Sequence, residues 1–132
     1  MKHSQWLTRL SQVIAAAQRT PFEWGKHDCC LFAADCALAV AGVDPAADYR
    51  GRYSTEIGAK RALNKTHGSI ESAFDACFKR VVPEFAQRGD IVLLESELGK
   101  AAGVVWSNGI WSVSPFGTGP VNLKPLIVWR VE

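Results

Sequence analysis

The periodicity of the apolar residues changes once along this chain, and that change decides what it can fold into. Up to Phe78 they recur at three- and four-residue intervals, as on helices; from Ile91 onward Val, Ile and Trp run in short stretches punctuated by Gly, Asn-Gly and Pro, as in strands. Helices first and strands second within 132 residues imply an α+β fold in which an antiparallel sheet packs on helices. The length suits one domain, since domains mostly run to about 100–150 residues, so a single domain over residues 1–132 is expected. Hydrophobic residues are 48% of the chain, with five Trp and six Phe, which is enough to build a core and excludes a disordered chain.

Trp6, Leu7, Leu10, Val13, Ile14 and Ala17 mark a first helix from His3 to about Arg19, ended by Thr20-Pro21. Asp28 reads as the N-cap of a second helix bearing Cys29, Phe32, Ala33, Cys36, Ala37 and Val40, closed by Gly42. Its Ala-rich, nearly all-round apolar sequence predicts a buried central helix. Residues 43–52 read as an ordered surface loop in which Arg50 or Arg52 pairs with Asp35. Thr55 to Leu63 and Ser69 to Phe78 read as two shorter helices, the latter capped by Ser69. Arg88-Gly89-Asp90 reads as a turn before the first of about five strands: Ile91–Leu94, Ala102–Trp106, Ile110–Ser114, Val121–Leu123 and Leu126–Val131. Asn108-Gly109 turns a hairpin, with Trp106 and Trp111 expected on opposite faces or edges of the sheet. Phe116 to Pro120 reads as a turn, without the strand–loop–helix frame of a phosphate loop.

Several functions are excluded at this level. Fifteen basic against thirteen acidic residues give a net charge of +2, well interspersed, so nothing marks a nucleic-acid partner. No apolar run reaches the ~20 residues that span a bilayer, so membrane insertion is not expected. Met1 to Trp6 runs straight into the first helix without the apolar core of a signal peptide, so the chain is expected to be made and folded in a cytoplasm. Cys29, Cys30, Cys36 and Cys77 are then expected as free thiols. They lack the C-x-x-C spacing of a zinc site, and Cys29 and Cys36 lie two helical turns apart. With His27 or Cys77 as extra ligands a metal site stays open as a minor alternative; the main expectation is neither metal nor cofactor.

Cys29 is the position with most chemical content. It falls in the first turn of the central helix, where unpaired N–H groups and the helix dipole favour thiolate over thiol, as for a nucleophilic cysteine. The alternative is that Cys29, Cys30 and Cys36 are small apolar core residues.

The run Trp24-Gly25-Lys26-His27-Asp28-Cys29, followed later by Arg88-Gly89-Asp90 and its apolar strand, resembles the NlpC-type cell-wall cysteine peptidases of papain-like fold. More closely, the chain resembles NlpC-like proteins of phage and prophage tails. That pattern includes Ala34-Asp35, Gly42-Val43-Asp44-Pro45, Arg50-Gly51-Arg52-Tyr53 and Trp129-Arg130-Val131, and covers residues 6 to 131. The resemblance implies an NlpC/papain-like fold with Cys29 in the nucleophile's place, a His as general base and a third polar residue orienting it.

Aligned this way, Ala101 stands where the base belongs, His27 is the weak substitute, and Ser112 is the weak candidate for the orienting residue. His67 reads as a solvated loop residue and His3 as part of a frayed first turn. A thiol without a base forgoes activation worth about 10²–10⁴-fold. The expectation is therefore a tail-tip (baseplate) component with a degenerate peptidase fold, whose partners are other tail-tip proteins. The alternative is an active peptidoglycan endopeptidase using Cys29 for local wall opening during genome delivery.

Overall fold

In the computed structural model, which describes residues 1–132, four helices come first: α1 (Trp6–Gln18), α2 (Cys29–Ala41), α3 (Glu56–Thr66) and α4 (Ile70–Asp75). Six strands follow: β1 (Lys79–Val81), β2 (Ile91–Ser96), β3 (Gly99–Trp106), β4 (Gly109–Ser114), β5 (Gly117–Val121) and β6 (Ile127–Arg130). The fold is thus α+β, with one antiparallel sheet in the order β1-β6-β2-β3-β4-β5. No helix is long and apolar enough to cross a membrane.

The helix starts follow from side-chain caps. Asp28, Thr55 and Ser69 each accept a backbone N–H from three residues on, at 3.0 Å in every case, which satisfies a donor that the first turn would otherwise leave unpaired. Eight of the thirteen residues of α2 are buried, so the all-round apolar composition does place this helix at the centre. One side of it, with Phe32, Ala33, Cys36, Ala37 and Val40, packs with Leu10 and Ile14 of α1 on a sheet face made of Ile91, Leu93, Ala102, Val104, Val113 and Trp129. Its other side, with Leu31 and Ala34, packs in a smaller cluster with Ala46, Tyr49 and Ala73. Val92, Leu94 and Val128 form a third cluster on the far face of the sheet, joined by Val105 and Ile110.

Four expectations need correction. There are six strands rather than about five; the additional one, Lys79-Arg80-Val81, is polar and is held by main-chain pairing with Val128 to Arg130 rather than by a pattern of its own. The segment expected as a turn at Phe116 to Pro120 is largely strand β5, and the expected strand Val121–Leu123 is displaced to Gly117–Val121. An edge strand needs only a partner ladder, here Ser114 to Ile110, so its Gly-rich composition did not prevent it. The fourth helix stops at Asp75 rather than Phe78. Finally, Trp106 and Trp111 share one face, because Trp111 lies directly across from Val104 and Val104 and Trp106 are two residues apart. Both tryptophans flank the main core, half-buried.

Candidate active site

Three clasps between segments remote in sequence fasten the frame, the first of them directly beside Cys29. Asp28, only 2% exposed, accepts the Leu31 N–H at 3.0 Å through Oδ1 and the Gly25 N–H at 3.0 Å through Oδ2. The Tyr53 hydroxyl donates to the same Oδ2 at 2.6 Å. Burial, and then the Asp28 group itself, push the Tyr53 hydroxyl well up, so it stays a donor. Gly25 has φ +83°, and a Cβ there would stand 1.9 Å from the Tyr53 carbonyl oxygen, so only glycine lets these two loops meet.

In the second clasp Arg50 reaches Asp35 on α2 at 2.8 Å and Asp44 at 2.9 and 3.1 Å. This is the pairing expected of Asp35, and it braces the surface loop against the central helix. In the third, Asp90 is fully buried and holds Arg130 Nε at 3.1 Å, the Gln87 N–H at 2.9 Å and the Val131 N–H at 3.3 Å.

Clasped in this way, the start of α2 presents Cys29 and Cys30, both half-buried, with their sulfurs 3.9 Å apart. Cys29 is held below the usual thiol range, chiefly by the hydrogen bond it shares with Cys30; burial opposes this, the Ala102 backbone adds to it, and Asp28 opposes it. Cys30 is correspondingly pushed up. The helix N-terminus favours a thiolate in this first turn. Alkylation by iodoacetamide should therefore select Cys29 over Cys30 and the buried Cys36, with a pH midpoint below the ~8.5 of free cysteine. A midpoint at or above that value, or loss of label from Cys30 rather than Cys29 in the single serine variants, would contradict the assignment.

Cys29 and Cys30 open on a cleft of about 290 Å³ between α2, α3, α4 and the β2–β3 turn, lined chiefly by apolar and aromatic side chains, Tyr49 and Tyr53 among them. Sequence reasoning flagged the Arg-Gly-x-Tyr run but not this role for its tyrosine, because nothing in local spacing joins Tyr53 to residue 28.

The other candidate residues lie elsewhere. His27 is buried, with Nε2 3.2 Å from the Thr118 hydroxyl of β5 and its ring edge-on to Phe32. It borders a separate hollow on the α1 side, together with Arg9, Gln12 and Glu23. Ser112 donates its hydroxyl to the Ala102 carbonyl at 2.7 Å, and its pairing with Gly103 puts its side chain on the sheet face away from α2. Ala101 pairs with Leu94 and so shares that far face; the residue facing α2 there is Ala102. His67 Nδ1 meets the Tyr49 hydroxyl at 2.5 Å, and His3 Nδ1 accepts the Gln5 N–H at 3.0 Å. No three His, Cys, Asp or Glu residues converge as a metal site.

Fold and site together define an α+β domain whose central helix carries a stabilised cysteine at its start, beside a mainly apolar cleft. By sequence the chain belongs to the DUF6950 family, described as a domain of unknown function, whose model matches residues 1–131. No curated protein and no solved structure matches the chain.

Proposed function

We propose that this chain is a tail-tip (baseplate) component of a phage or prophage, built on an NlpC/papain-like frame whose peptidase machinery has degenerated. The observation that carries the reading is the dispersal of the catalytic set. Cys29 opens on the α3–α4 side of α2, His27 is engaged with Thr118 on the α1 side, and the Ala101 and Ser112 positions lie on the far face of the sheet. Amide hydrolysis needs a base for the thiol and an acid for the leaving amine within hydrogen-bond reach of one reacting centre. None of the three candidates supplies that to Cys29.

The motifs behind the resemblance fit the same reading. Trp24-Gly25 with Asp28 clasps Tyr53, Ala34-Asp35 clasps Arg50, which also holds Asp44, and Gly89-Asp90 clasps Arg130. A set of residues spent on holding the frame together suits a protein kept for assembly, working through contacts with other tail-tip proteins.

One observation favours the second reading, an active peptidoglycan endopeptidase: Cys29 is both reachable and shifted toward thiolate. Two measurements separate them. Particles induced from a host carrying the gene should contain the chain in the purified tail fraction, and the purified protein should release no new amino groups from isolated peptidoglycan. Cys29-dependent release would establish the peptidase reading instead, and absence of the chain from tails would remove the tail assignment.

A further inference from the structure

Protein interiors seldom leave room for more than a water molecule, yet the second core cluster here stands beside a cleft of about 290 Å³. That cluster has only five buried residues, Leu31, Ala34, Ala46, Tyr49 and Ala73. The wall opposite α2 is α3, which buries no residue of its own and contributes Glu56, Ala59, Lys60 and Leu63 to the cleft. The space is therefore a partly open, mainly apolar cleft with a thiol at one end. Its size is at the lower bound of small-molecule sites, about 300–1,000 Å³, which suits a chain of modest length. Glu56 and Lys60 stand at its rim, both exposed, so the mouth carries one charge of each sign.

The chemistry open to Cys29 is narrower than that of a peptidase. Without a positioned acid, its sulfur cannot expel an amine, which is a poor leaving group. A thioester differs, since its leaving group is a thiolate, which departs without first being protonated, whereas an amine must take up a proton to leave. We propose that the cleft is an acyl-chain site and that Cys29 accepts a short to medium acyl group from a thioester donor. The Cys29 sulfur attacks the thioester carbonyl; a carbon–sulfur bond to Cys29 forms, the bond to the carrier sulfur breaks, and the carrier leaves as a thiolate that takes up a proton from water. No oxidation or reduction occurs. The product persists because no neighbouring base activates water against it, and the chain completes the packing between α2, α3 and α4. This inference is independent of the tail assignment.

The test is incubation of the full-length protein with octanoyl-coenzyme A or acetyl-coenzyme A, followed by intact mass and peptide mapping. One octanoyl group should appear on Cys29, removable by hydroxylamine. Octanoyl transfer should outpace acetyl transfer at least about tenfold, because burial of two methylenes already supplies that factor. Ala59→Trp, which fills the cleft from α3, should abolish octanoyl transfer while iodoacetamide still labels Cys29, and Cys29→Ser should remove both. The exposed Cys77 is the internal control. Absence of transfer, equal rates for the two donors, equal modification of Cys77, or an Ala59→Trp variant that still accepts octanoyl would each overturn the proposal.

Discussion

Asp28→Ala is expected to lower the stability of the protein by about 3–5 kcal/mol, read as a shift in urea midpoint at unchanged m-value. The helix cap alone contributes about 0.5–2 kcal/mol. Two further bonds, from the Gly25 N–H and the Tyr53 hydroxyl, end on the same buried group, and bonds to a charged acceptor are worth about 1.5–3 kcal/mol each. The three share one side chain, so they add incompletely. In a chain of this length the loss corresponds to a fall in Tm of about 4 °C per kcal/mol.

Asp28→Asn should retain the cap, since asparagine serves that position equally well, and lose less than the alanine variant. It should also lower the alkylation midpoint of Cys29, because the negative charge of Asp28 is one of the influences that raise it. Tyr53→Phe should account for part of the loss and couple to Asp28 in a double-mutant cycle. A deficit below about 1 kcal/mol for Asp28→Ala, the range of an ordinary surface change, would mean that the clasp does not hold the entry to α2.

The second large effect is expected at Asp90, at the other end of the core. It is fully buried, whereas the Arg130 side chain is 20% exposed, and Arg130 also donates to the Phe85 carbonyl at 2.8 Å. Removal of one partner of a buried ion pair costs about 3–5 kcal/mol, because the other is left uncompensated. Asp90→Ala strands the guanidinium and also frees the Gln87 and Val131 N–H groups, so it should be the worse of the two single variants. Arg130→Ala should cost less, since Asp90 keeps its two backbone donors. The double variant should lose clearly less than the sum, and strict additivity would show that the pair is not coupled.

Asp90 was legible in the sequence only as part of a turn. Its partner stands forty residues away in the last strand, and that distance is bridged by the β2–β6 pairing, with Ile91 across from Trp129. The same holds for Asp28 with Tyr53 and for Gly25, whose need to be glycine arises from the Tyr53 backbone rather than from its own turn. Each motif could be recognised as a short string, but its chemical partner lay in another string. Asp35 with Arg50 was the exception, because an acidic residue within an apolar helix calls for a cation and the next loop offered only two.

The sequence by itself determined the order of helices and strands, the caps at Asp28 and Ser69, the burial of the central helix, and Cys29 as its first residue. These depend on i to i+3 bonds and on periods of 3.6 and 2, which act within a few residues. Only the tertiary structure decided that β1 and β5 are strands, that Trp106 and Trp111 share a face, and that Cys29 and His27 border different hollows. Strand pairing and side-chain convergence are settled by register between remote segments, and a shift of one residue there exchanges the two faces of the sheet.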